Sequence, residues 1–145
     1  MLNIPLLLAS AGSFIVAIAH IVIIIRGASA YRYFGAGEQM AQMAERGSPA
    51  PALITGVLVC VFALWGYYPL TALGFATPLP FLRPALIVIG CIYTLRGLLV
   101  VVELAAWMNV FAWRDGVRPQ DPWFSAVSLA IGVCFLWGVW LMNRQ

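Results

Sequence analysis

The chain has no lysine and little charge of either sign. Its eight basic residues are all arginine, five acidic residues oppose them, and charged residues make up 9% of the 145 positions against 63% hydrophobic. Soluble domains carry roughly a quarter charged residues and about half apolar. A short chain leaves a large share of its surface exposed on folding, so it cannot hide this much apolar side chain from water in one core. A soluble globular enzyme and a disordered chain are therefore excluded. The arginines are scattered, which removes the basic stripe that tracks a nucleic-acid backbone, and no nucleic-acid partner is expected.

Histidine, cysteine and aspartate are equally sparse. A single histidine, His20, cannot supply bis-histidine haem ligation within one chain or a histidine-rich metal site, so neither cofactor nor metal is expected. Cys60, Cys91 and Cys134 stand alone in apolar stretches with no Cys-x-x-Cys spacing, and read as small, inert packing residues. Asp115 and Asp121 both follow the third apolar run, which leaves no credible Ser–His–Asp order. Asp115–Gly116 reads as a turn.

What the sequence does have is long apolar runs. Four segments, 4–25, 51–68, 84–106 and 122–142, have about the 20 mostly apolar residues a spanning helix needs and lack the period-two alternation of strands. Their starts carry chemical marks: Asn3 before Pro5, Ser48 before Pro49 and Pro51, Arg83 before Pro84, and Asp121 before Pro122. Proline suits a first helical turn, and Asn3, Ser48 and Asp121 are natural N-caps. Pro69 is expected to end or kink the second run. The expectation is an all-α integral membrane protein: an antiparallel four-helix bundle forming a single transmembrane domain over 1–145, with the lipid bilayer as its first partner. The first helix is expected to be retained, because no basic n-region precedes it.

Arg26, Arg32 and Arg46 follow the first span and Arg114 and Arg118 the third, while Arg83 and Arg144 fall on the other side. The positive-inside pattern then puts 26–50 and 107–121 in the cytoplasm and both termini outside. Trp107, Trp113 and Trp123 are expected at the cytoplasmic boundary, and Trp65, Trp137 and Trp140 at the outer one. The overall organisation resembles several small bacterial inner-membrane families, without a diagnostic motif of any, and no functional residue is carried over from them.

The connections differ in character. Residues 38–46 read as a short interfacial helix, with Met40, Met43 and Ala44 towards acyl chains and Glu38, Gln42 and Glu45 on the other side. A partner-binding or lid helix is the functional alternative. Gly35–Ala36–Gly37 reads as a flexible hinge beside the interfacial aromatics Tyr31, Tyr33 and Phe34; a phosphate-binding turn lacks its strand and its lysine. The connection from Pro69 to Leu82 carries no charge and is expected to dock on the membrane surface.

Ionisable groups inside spans are expensive and mark the place to look for function. Arg96 lies about 18 Å along its helix from Pro84, near the middle of a hydrocarbon core about 30 Å thick. Glu103 is seven residues on, on the same face, within a side chain's reach. His20 falls in the same half of the bilayer, so Arg96, Glu103 and His20 can form one cluster, with Tyr93 beside it. Small-residue faces at Ser10–Ser13–Ala17, Gly90–Gly97, Gly56–Cys60–Ala63 and Ser125–Ser128–Gly132 suggest close helix packing. Two main readings follow, beside a third in which Glu103 reaches the interface while Arg96 contacts another subunit. In one, the cluster fixes packing in a structural, subunit or interaction protein, a homo-oligomer or part of a larger membrane complex. In the other, it lines a site for a lipophilic small molecule, with Arg96 on an anionic or carbonyl group and Glu103–His20 moving a proton. A channel or transporter would need a water path past Arg96.

Overall fold

The computed structural model describes residues 2–108, 110 and 117–144, and every described element is helical. The elements are α1 (Ile4–Arg26), α2 (Ala28–Phe34), α3 (Glu38–Glu45), α4 (Ala50–Ala72), α5 (Leu82–Trp107) and α6 (Asp121–Met142). α1, α4, α5 and α6 are long and apolar enough to cross a membrane. The expected all-α class, with four long apolar helices of a bundle and a short helix after the first, is the one observed. Trp113, Arg114 and Asp115–Gly116 lie outside the described residues.

The chain divides into two compact units. The first joins Met1–Ser10 to Tyr68–Gln145 and is dominated by antiparallel α5 and α6. Their contact rests on missing side chains. A Cβ on Gly97 would collide with the backbone of Leu129, and one on Gly132 with Thr94. A Cβ on Gly90 would lie 2.9 Å from both Leu136 Cδ2 and Phe135 Cβ. Such close approach is how spanning helices gain packing when no hydrophobic force drives them together. Tyr93 stacks on Phe135 at 5.9 Å between ring centroids. The start of α1 belongs to this unit: Asn3 Oδ1 caps the helix by accepting from the Leu6 amide at 3.3 Å, while its Nδ2 donates to the Gly138 carbonyl at 2.8 Å. Trp107 and Trp123 are exposed at one end of the α5/α6 pair, and Trp137 and Trp140 towards the other.

The second unit, Ala11–Tyr67, holds the rest of α1, both short helices and most of α4. Here α1 and α4 are antiparallel: Phe14 packs over Gly66, where an added Cβ would come within 2.9 Å of its ring, and His20 meets Phe62 at 4.8 Å between centroids. α2 and α3 form a hairpin with a small core of Ile23, Ala30, Tyr31 and Ala41. The Thr55 hydroxyl donates to the buried Tyr31 phenol oxygen at 3.4 Å, tying α4 to α2.

Several local expectations change. α4 runs past Pro69 to Ala72, and Gly74 ends it instead. Gly74 has φ 76°, and the Phe75 amide bonds to the Leu70 carbonyl while Gly74 bonds to Thr71, a Schellman stop that needs a left-handed residue. Asp121 does not cap the amides of α6; its Oδ2 is taken by the Arg118 backbone N–H at 2.9 Å and its Oδ1 by the Arg118 guanidinium at 2.6 Å, a charge-assisted pairing that occupies both carboxylate oxygens. Ser48 does accept from the Ala50 amide, at 3.3 Å. The packed side of α4 carries Thr55 and Gly66, whereas Gly56 has open space around it and Cys60 is exposed. Cys91 is exposed too, so neither thiol packs within the chain.

The aromatic stretch before Gly35 is helix α2. Gly35, at φ 83°, closes it through Gly35 and Ala36 amides on the Tyr31 carbonyl, so the glycine pair is a helix stop followed by a helix start. Met40 and Ala44 of α3 pack against the Ile23–Tyr31 core rather than facing acyl chains. The opposite edge is held by Arg32, which pairs with Glu38 at 2.8 Å and with Glu45 at 2.6 Å.

Candidate functional site

Arg96 and Glu103 stand seven residues apart on α5, about 10 Å along the axis. Antiparallel packing through Gly97 and Gly132 brings the first turns of α6 alongside, and Ser125 falls between the two charges. Arg96 Nη1 donates to Ser125 Oγ at 2.6 Å, and Ser125 Oγ donates to Glu103 Oε1 at 2.9 Å. The guanidinium and the carboxylate themselves are 4.0 Å apart. The hydroxyl thus accepts from one charged side chain and donates its proton to the other, and so bridges them.

Burial along this chain of three is uneven. Ser125 is fully buried, the Glu103 side chain is 12% exposed, and that of Arg96 is 45% exposed. Glu103 Oε2 is buried without a hydrogen-bond partner among the described residues. A hydrogen bond made inside the apolar region is not weakened by water, and the charge on each end strengthens it. Its chemical effect is to tie the end of α5 to the start of α6 and to hold Arg96 with one amino group engaged.

Tyr93 lies one turn before Gly97 on the buried side of α5, stacked on Phe135, in the same unit as Arg96. His20 belongs to the second unit. Its Nδ1 is 2.8 Å from the Val16 carbonyl, which can only accept, so Nδ1 carries the proton. Its ring rests on Phe62.

Ser125 is the residue of this polar link that sequence reasoning missed. It appears there as part of a small-residue face, because serine in a span serves both close packing and hydrogen bonding. The signal that could have found it is depth: in an antiparallel pair, a residue near the start of α6 comes level with one near the end of α5.

No group of three or more histidine, cysteine, aspartate or glutamate side chains close enough to hold a metal ion occurs among the described residues. No protein-family model, curated protein or solved structure matches the chain.

Proposed function

We propose that the protein is a small four-span membrane component whose work is assembly, and that the Arg96–Ser125–Glu103 link is a structural clamp between α5 and α6. The observation that carries this reading is Ser125, which meets both charged side chains at 2.6 and 2.9 Å and is itself fully buried. Setting a neutral hydroxyl between two opposite charges is a structural solution, since the one O–H of Ser125 is already given to Glu103 and the residue is enclosed by the helix contact. His20 does parallel work in its own unit, bonded to its own helix through Nδ1 and pressed on Phe62 of α4.

The membrane we propose is a bacterial inner membrane, with 26–50 and 107–121 cytoplasmic and both termini outside. Arg26, Arg32 and Arg46 support this orientation, and the pairing of Arg32 with glutamates does not weaken it, because the rule counts arginines rather than net charge.

Ser125→Ala tests the clamp. The variant strands an Arg96 donor and Glu103 Oε1, which costs about 1–2 kcal/mol on the scale of hydrogen bonds between spanning helices. The melting midpoint in detergent is expected to fall by about 2–6 °C. An unchanged midpoint contradicts the clamp.

A further inference from the structure

The clamp leaves Arg96 unfinished. Only Nη1 is engaged, and 45% of the side chain is exposed. Along α5 the residue is about 21 Å from Leu82 and about 17 Å from Trp107, too deep in a core about 30 Å thick to be solvated by headgroups without distorting the bilayer. Ile92, Arg96, Leu99 and Glu103 follow one another at spacings of four, three and four, which places them down one edge of α5. Ile92 is 43% and Leu99 46% exposed, so this edge is an open apolar ridge with one exposed guanidinium, while Glu103 at its end is 12% exposed and engaged with Ser125.

We propose that this edge docks a transmembrane helix of a different protein, one that carries an aspartate or glutamate near the middle of its span. The inference rests on the reading of the protein as an assembly component. Charge complementarity names the occupant: the remaining Arg96 donors call for a carboxylate at the same depth, and paired charges are how spanning helices carry ionisable groups. A second copy of this chain does not supply it. Among the described residues the spans hold two carboxylates: Glu103, whose Oε1 is bonded to Ser125 and whose Oε2 is buried, and Asp121, which lies in the first turn of α6 and is paired with Arg118. Copies related by a two-fold across this edge would bring two Arg96 side chains together, which is repulsive. A small lipophilic acid fits less well, because small ligands sit in concave sites and the edge at Ile92 and Leu99 is open.

The test uses the full chain in lipid nanodiscs with a fluorophore on a C-terminal tag. It is titrated with acceptor-labelled polyleucine transmembrane peptides bearing Glu, Leu or Lys at the centre, at pH 8. Energy transfer is expected to show at least ten-fold tighter association of the Glu peptide than of the Leu peptide, with the Lys peptide no better than Leu. The preference is expected to vanish in Arg96→Leu and to survive in Arg96→Lys. The three-peptide comparison on the unaltered chain stands even if a variant does not fold. Equal association of all three peptides overturns the proposal, as does transfer between two copies of the chain that Arg96→Leu abolishes, or displacement of the Glu peptide by equimolar oleate. Failure here is separable from failure of the clamp. A chain that melts lower as Ser125→Ala yet ignores the Glu peptide keeps the clamp and loses the docking edge. One that binds the peptide with an unmoved midpoint does the reverse.

Discussion

At the scale of single residues, the absence of a side chain does as much as its presence. Gly97 lets the Leu129 backbone approach so closely that any Cβ would collide with it, whereas Gly56 has nothing within 4 Å. Gly97→Ala is therefore expected to destabilise the chain by about 1–3 kcal/mol through overpacking. Gly56→Ala is expected to be neutral or to stabilise by about 0.4–1 kcal/mol, because alanine narrows the unfolded ensemble at no steric cost. Melting curves of the two variants in one detergent check the contrast, and equal shifts would contradict it. Both glycines look alike in the sequence, each inside an apolar run. Only the crossing of α5 and α6 tells them apart. Arg96 and Glu103 were legible because charge is conspicuous in a span; Ser125 was not, because its role depends on where an antiparallel neighbour places it.

At the scale of elements, the α2–α3 hairpin shows how polar chemistry shapes a short segment. Arg32 holds both Glu38 and Glu45 below the ordinary carboxylate range, chiefly through the hydrogen bonds it donates to each, and is itself raised above the ordinary arginine value. A depressed carboxylate stabilises the fold at every pH above its unfolded value, and that contribution is lost as pH falls through the folded value. The hairpin is therefore expected to be unchanged from pH 8 to about 5 and to loosen below about 4. The Met40 methyl NMR signal, which reports the hairpin core, is expected to move only in that acid range. Arg32→Gln is expected to remove the dependence; the same acid shift in that variant would contradict it. The long helices and α3 were readable from length and pattern. α2 was not, being a seven-residue helix bounded by Gly27 and Gly35 and anchored by Tyr31 on Thr55. Pro69 misled for a related reason: a proline weakens a helix locally, but Gly74 supplies the geometry that stops it.

At the scale of the whole molecule, composition excludes an aqueous core, since 63% hydrophobic residues in a chain this short cannot be hidden from water, and the four long apolar runs then give the four helices. Orientation is the molecular property most open to a direct check. Alkaline phosphatase fused to the C-terminus is expected to be active and green fluorescent protein fused there dark, because both termini are proposed outside; the reverse pattern would invert the topology. The central claim, that two intramembrane charges serve packing through a buried serine, is tested most directly by a double-mutant cycle of Arg96→Leu on α5 and Ser125→Ala on α6, read as unfolding in detergent. If the clamp is real, the two substitutions couple by about 1 kcal/mol, within the range found between spanning helices. Additivity to within about 0.3 kcal/mol would contradict it, showing that Arg96 and Ser125 act independently of each other.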